Sequence, residues 1–374
     1  MKSIFTLLLV SLTLLSNAQN RCGTEAHTLE LIDKYPDYAK ARAKVNTETA
    51  NWISNHPNYK AKIIITIPVV VHVVWNTTSE NISDAQIFSQ INVLNKDFRR
   101  TNIDVINTPS VWQGIAADCE IEFCLAATDP NGNATTGITR TQTTHASFSM
   151  NDDVKSTSNG GIDAWDNNNY LNIWVCNLDD ASGAIGYATY PSSWISTTDG
   201  VVIRHKSFGT TGTAQSPYHW GRTTTHEVGH WLNLEHIWGA FGSCGDDQVS
   251  DTPKQEDYNL SCPSFPLHPN ACSTTNANGD MFMNYMDYTN DACMNLFTAG
   301  QKTRMISAIN QYRSNLIYNT CSNPTTNIIN VSSANKKIIR IVDVLGRTTS
   351  DKTTNTPLFY IYNDGTVEKK IIVE

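Results

Sequence analysis

The stretch HEVGHWLNLEH at residues 226–236 constrains this chain more than any other. Its leading histidines, His226 and His230, are four residues apart, so a helix projects both from one face toward a common point. His236 follows ten residues after His226. To bring it to the same point the helix must stop and the chain reverse near Asn233, which calls for a left-handed backbone. Asn is the non-glycine residue that best tolerates positive φ, at a cost of about 1 kcal/mol. Three neutral imidazoles suit Zn2+ and leave one tetrahedral position for water, whose pKa falls to about 7 on the ion. Glu227, next to the first histidine, is placed to take that water's proton and pass it to a leaving amine. The expectation is zinc held by His226, His230 and His236, with Glu227 as general base and acid. A surface binding module that keeps zinc as a structural staple is the competing class, and it has no use for Glu227. A zinc amidase acting on cell-wall peptides shares the chemistry and differs only in substrate.

The rest of the chain supplies a frame for that site. Lys2 precedes an apolar run from Ile4 to Leu15, and Ser16, Asn17 and Ala18 are small or polar enough for signal-peptidase cleavage, so residues 1–18 read as a signal peptide. No later run reaches the roughly 18 apolar residues of a spanning helix, so no transmembrane segment is expected. Lys+Arg 27 against Asp+Glu 35 gives a net charge of −8 without a basic run, which argues against a nucleic-acid partner. Residues 19–61 are polar and helix-leaning and read as a leader separate from the main core. Ile63 to Trp75 is a β-branched run fit for a buried strand, and Ser83 caps a helix with Ile87, Ile91, Leu94 and Phe98 on one face. Further strands are expected at Glu120–Ala126, Tyr170–Cys176, Ile185–Ala188 and Gly200–Arg204. Ser216-Pro217 predicts the start of the histidine helix, running to about Leu232. Residues 237–297 read as an irregular lobe, and a last helix carries Met305, Ile309, Tyr312 and Leu316. A Ser/Thr/Asn-rich linker, 322–335, leads to a strand-rich tail, 336–374. The fold class is α+β: an upper twisted mixed sheet with backing and active-site helices, an irregular lower lobe, and a small second unit.

HEVGHWLNLEH, together with YLNIWVCNL, GYATYP followed by DGVVI, VSDTP and MNYMDY, resembles the metzincin metallopeptidases, and within them the pappalysin family in its bacterial cytophagalysin branch. The likeness covers residues 62–321, the expected catalytic domain of a secreted endopeptidase. Asn233 departs from the glycine of the metzincin pattern. The resemblance implies that Met286 forms an apolar floor under the metal ligands and that Tyr288 helps hold the oxyanion. It implies that Ile185, Gly186, Tyr187 and Ala188 form an upper rim that pairs with an extended substrate. Arg21-Cys22-Gly23 looks like a cysteine switch, in which Cys22 takes the fourth zinc position of a latent form. Asp247, Val249, Asp251 and Thr252 resemble a Ca2+ site. Asp291 matches the base of a pocket that selects Lys or Arg after the cleaved bond, and Lys60 and Lys62 at the end of the leader would suit the same preference. Two bridges are implied, Cys244 with Cys272 and Cys262 with Cys293. Cys119 and Cys124 are five residues apart on a probable strand, about 17 Å if extended, too far to bond each other. Cys176 and Cys321 are candidate partners for them, and that pairing is left open. The nine cysteines are odd in number, and the leader's single Cys22 leaves eight elsewhere. The tail, with VDVLGR, PLFYIYNDGTV and KKIIVE, resembles a β-sandwich sorting domain of type IX secretion, which implies the type IX secretion machinery as a partner beside peptide or protein substrates.

Overall fold

The computed structural model describes residues 21–57, 59, 64–179, 183–193, 197–239, 244–267, 272, 277–317, 338–343, 347–349, 357–362 and 367–371. The signal-peptide segment, Lys60, Lys62, the linker and Cys321 lie outside the described residues. The chain divides into two compact units, Met1–Cys321 and Ser322–Glu374.

The first unit is built on a six-stranded sheet. Five strands run in the order β2 (Ile121–Leu125), β1 (Ile65–Trp75), β4 (Leu171–Cys176), β6 (Val201–Arg204), β5 (Gly186–Ala188), and β3 (Ile138–Gln142) also pairs with β1. β1 (Ile65–Trp75) is flanked on one side by β4 (Leu171–Cys176) and on the other by β2 (Ile121–Leu125) and β3 (Ile138–Gln142) in succession. β2 pairs with Ile65 to Val69 and β3 with Val71 to Trp75, so two short strands share one long edge. All of these pairs are parallel, as is β4 with β6 (Val201–Arg204). The exception is the edge strand β5 (Gly186–Ala188), antiparallel to β6. β3 escaped the sequence reading because ITRTQ carries one apolar residue and only its place beside β1 makes it a strand.

The continuous apolar run of β1 follows from burial on both faces. Ile65, Ile67, Val69, Val71 and Val73 face the main core with Ile87, Leu94 and Phe98 of α3 (Asp84–Phe98) and Val228 and Trp231 of α5 (Arg222–Trp231). Val74 faces a second cluster with Trp174, Tyr187 and Val202. Ser83 caps α3 by accepting from the Gln86 N–H. One helical turn, α4 (Ser110–Gln113), precedes β2. α6 (Ala299–Tyr312) opens with a Thr298/Gln301 capping box.

Three expectations are corrected. The histidine helix does not open at Ser216-Pro217; it starts at Arg222, after Gly221 in left-handed backbone. Its first N–H, that of Arg222, and the Trp220 amide just before the helix both donate to a distant carboxylate, Asp291 Oδ2, at 3.2 and 2.9 Å. The leader is not separate from the main core. α1 (Thr24–Lys34) and α2 (Pro36–Asn55) pack into the same unit, with Cys22, His27, Tyr38, Val45 and Thr49 buried. Cys176 is no partner for Cys119 or Cys124: Cys119 and Cys176 are both free thiols, one in each of the two apolar clusters. Cys124 is disulfide-bonded. With Cys22 there are three free thiols among the described residues.

The second unit contains a three-stranded antiparallel sheet, β7 (Ile338–Val342), β8 (Pro357–Tyr362) and β9 (Val367–Ile371). Leu358, Tyr360 and Tyr362 alternate along β8 and form its buried cluster.

Candidate metal centre and cleft

His226 and His230 project from α5, which ends where Asn233 adopts φ 75°. The Asn233 N–H donates to the His230 carbonyl (2.8 Å) and that of Leu234 to the Gly229 carbonyl (2.9 Å), closing the helix and returning His236 to the ligand face. Each imidazole is oriented through Nδ1. His226 Nδ1 lies 2.7 Å from the Tyr285 carbonyl, His230 Nδ1 2.7 Å from the Leu234 carbonyl, and His236 Nδ1 2.8 Å from Glu25 Oε1. These acceptors fix the proton on Nδ1 and turn an unprotonated Nε2 inward. The three Nε2 atoms are 3.0, 3.0 and 3.2 Å apart. Zn–N bonds of about 2.05 Å at tetrahedral angles give edges of about 3.3 Å. Burial, reinforced by the neighbouring imidazoles, holds His226 and His230 well below the usual histidine range, so both are neutral donors. With Cys22 Sγ, the four ligand atoms lie within 4.8 Å of one another. Three nitrogens and one sulfur converging in a dry site fit zinc.

The walls of the centre are aromatic and apolar. Met286 is fully buried beneath α5, and a Cβ on Gly229 would sit 2.5 Å from its sulfur, so glycine permits this approach. The Tyr288 ring centre is 5.0 Å from that of His236, and its hydroxyl donates to the Cys22 carbonyl at 3.4 Å. Trp238 stacks on His236 at 4.5 Å, and Tyr190 Oη lies 3.1 Å from His230 Nδ1. Trp238, Tyr190 and Glu25 were not anticipated. Only the two-residue offset of Trp238 from His236 was available as a signal.

Glu227 points into the same space. Its Oε2 accepts from Thr24 Oγ1 (2.8 Å) and Cys22 Sγ (3.5 Å), while Oε1 is buried with no hydrogen-bond donor among the described residues. Burial pushes its carboxyl up to about 7, against the hydrogen bonds from Thr24 and Cys22. β5 passes close above it: a Cβ on Gly186 would be 3.0 Å from Glu227 Cγ. The leader lies on this strand. Ile185 donates to the Arg21 carbonyl (2.9 Å), Gly23 to the Gly186 carbonyl (2.8 Å), and the Ala188 N–H to Thr24 Oγ1 (2.9 Å). Tyr187 faces the other way, with its hydroxyl 3.2 Å from Asp152 Oδ1.

Beside the first turn of α5, Arg21 and Asp291 form an ion pair of 3.0 Å, with side chains 2% and 0% exposed. Arg21 also donates to the Thr289 carbonyl and lies over the Tyr218 ring at 4.7 Å. The nearby Cys262–Cys293 bridge ties the short turn Asp291–Cys293, and Cys244–Cys272 ties the lobe before it. The acidic turn converges only in part. Asp247 accepts from the Val249 N–H (3.1 Å) and Thr252 Oγ1 (2.8 Å) beside a cavity of about 480 Å³. The Asp251 carboxylate instead accepts from Thr298 Oγ1 (2.6 Å) and the Gly300 N–H (2.8 Å) at the start of α6. Burial raises the Asp247 carboxyl to about 7.

A family model described as pregnancy-associated plasma protein-A matches residues 152–310. An extracellular metalloprotease of Verticillium alfalfae is 32% identical over 301 residues, covering 78% of this chain and 89% of its own. The chain belongs to this pappalysin family of peptidases. Extracellular metalloprotease 1 of Coccidioides posadasii is 33% identical over 261 residues, covering 67% of this chain and 78% of its own. Among solved structures, a promirolysin mutant of Tannerella forsythia superposes with a TM-score of 0.71 at 51% identity, over 79% of this chain and 97% of its own. Mature mirolysin with a cleaved peptide gives 0.65 at 56% identity, over 69% and 97%. This pappalysin is a secreted zinc metallopeptidase of metzincin architecture, which sets aside the binding-module reading.

Proposed function

We propose that the protein is a latent endopeptidase that cuts peptide bonds before Lys or Arg, with zinc held by His226, His230 and His236. The observation that carries this reading is the leader's position: Cys22 Sγ sits with the three Nε2 atoms while Arg21 occupies the Asp291 pocket. When bound, zinc supplies Lewis acidity that makes water nucleophilic near neutral pH and polarises the scissile carbonyl. In the latent form Cys22 would serve as the fourth ligand and exclude water, while Thr24 Oγ1 donates to the Glu227 carboxylate. Once the leader leaves, Glu227 takes a proton from the attacking water and returns it to the departing amine. Tyr288 stands beside His226 and His236, where its hydroxyl can donate to the developing oxyanion. Asp291 selects the cation after the cut, and β5 supplies the backbone edge for the substrate.

The same reading gives the chain its stages. Residues 1–18 export it, 19–61 hold it latent, 62–321 catalyse, and 322–335 connect to a tail, 336–374, read by the type IX secretion machinery and holding the enzyme at the cell surface until it is removed. A Ca2+ ion at Asp247, Val249 and Thr252, with Asp251 adjoining, would stabilise the lower lobe. The purified Cys22→Ala zymogen is expected to convert to the mature form much faster than wild type, with a new N-terminus before Lys or Arg near the end of the leader. A variant as latent as wild type would remove the switch, and a mature N-terminus not preceding a basic residue would remove the preference.

A further inference from the structure

The leader inserts two arginines into the enzyme unit, one near each end of α5. Arg21 meets Asp291 beside the first turn. Arg42, on α2, meets the other end. Its Nη1 donates to the Pro191 carbonyl at 2.7 Å and to Asn233 Oδ1 at 3.0 Å, and its guanidinium carbon lies 4.2 Å from the centre of the Tyr190 ring. Arg42 is only 9% exposed, so the guanidinium is nearly withdrawn from water. None of these acceptors is a carboxylate. The cradle offers an aromatic face and two neutral oxygens, a combination that favours a planar guanidinium over a compact ammonium.

The walls of this cradle are held by the enzyme itself. The Asn233 turn is pinned by its N–H bond to the His230 carbonyl and by Arg304 Nε, which donates to the Asn233 carbonyl at 2.6 Å. The Tyr190 hydroxyl lies 3.1 Å from His230 Nδ1. These contacts do not involve the leader, so its departure leaves the Asn233 turn and the Tyr190 ring in place, while the Asn233 amide gives up its bond to Thr49 Oγ1 (3.1 Å) and Arg304 its bond to Asn46 Oδ1 (2.9 Å). The cradle also lies along the cleft. The leader follows β5 from Arg21 at Ile185 to Thr24 at Ala188, and Tyr190 is two residues further in that direction, away from Asp291. The eleven steps of α5 and its turn from Arg222 to Asn233 span about 16 Å, or about five residues of extended peptide.

We infer that Tyr190, Pro191 and Asn233 form a substrate subsite for an arginine side chain, three to five residues before the basic residue held at Asp291, on an extended peptide that pairs antiparallel to β5, the reverse of the leader's parallel course. This rests on the reading of Asp291 as the pocket for the residue after the cut. The test uses processed enzyme and two peptide sets, one with Lys fixed after the cleaved bond and Arg, Lys or Gln scanned through the five preceding positions, the other with Lys, Arg or Gln varied at the position after the cleaved bond. At one position Arg is expected to raise kcat/KM about fivefold to tenfold over Gln, and to exceed Lys. Asn233→Gly keeps a residue suited to positive φ but removes the amide oxygen, and Tyr190→Leu removes the ring. Each should bring that ratio to within about twofold while leaving the preference after the cut intact, with zinc content confirming the fold. A wild-type profile without an arginine preference at any of these positions overturns the proposal, as does a preference that survives both variants. A profile that lacks the basic preference after the cut but keeps the Asn233-dependent one overturns the Asp291 reading alone.

Discussion

Replacing Arg21 with Gln in the full-length zymogen should loosen the leader by an amount the structure allows to be worked out. The Arg21–Asp291 pair is almost fully buried, and breaking such a pair from one side costs about 3–5 kcal/mol because the remaining charge is stranded. Here the remaining carboxylate keeps two backbone donors, from Trp220 and Arg222, and the vacated cleft admits water. These two effects bring the cost below that range, to about 2–3 kcal/mol, part of it from the lost stacking on Tyr218. If self-processing scales with the fraction of open zymogen, that difference is about 30-fold to 150-fold in activation rate. Arg21→Lys keeps the charge but loses the planar contacts, and should fall between the two. The assay is appearance of the mature form and of peptidase activity after zinc addition, at several zymogen concentrations to separate self-processing within a molecule from cleavage of one molecule by another. An Arg21→Gln zymogen that matures within twofold of the wild-type rate would refute the argument that this ion pair holds the leader shut.

Other outcomes follow from the same structure. Glu227→Ala should bind one zinc per chain, by elemental analysis, while peptide cleavage falls at least 10²-fold to 10⁴-fold; a variant retaining activity would remove Glu227 from the proton path. His72 is fully buried between Thr139 Oγ1 and Asn172 Oδ1, and burial lowers its pKa to about 4. Between pH 6.5 and about 4 the unfolded chain therefore binds one proton more than the fold does at this site, so stability rises with pH by about 1.4 kcal/mol per unit. The contribution is fully present above 6.5 and lost as pH falls through 4. Urea unfolding of His72→Gln should show a slope shallower by that amount, and an unchanged slope would contradict the assignment. Calcium at fixed zinc should raise the melting temperature of the wild type and not of Asp247→Asn; equal responses would remove Asp247 from an ion site.

How legible the molecule was depends on whether a signal is local. β1 and α3 could be read because each encodes its surroundings: an unbroken β-branched run means two covered faces, and Ser83 with Ile87, Leu94 and Phe98 means a capped helix on a core. His226, His230 and His236 could be read because helix geometry and one turn bring them together within eleven residues. The start of α5 could not, because its capping group is Asp291, 69 residues beyond Arg222. The leader's grip was legible only at Cys22. Arg42, Asn46 and Thr49 look like an ordinary polar helix face until Asn233 and Arg304 are placed opposite them. The free thiols Cys119 and Cys176 belong to the same class, since only the sheet shows that they sit in different apolar clusters.

Asp291 serves two masters. One oxygen faces the arginine, and the other anchors the backbone from which the metal-binding helix grows. If Asp291 selects the basic residue as proposed, a mutation that altered appetite there would also unsettle the helix that carries the chemistry. Lineages diverging from this enzyme should therefore retune their diet through the surrounding walls, such as Tyr218 or the loop carrying Thr289, and leave the carboxylate alone.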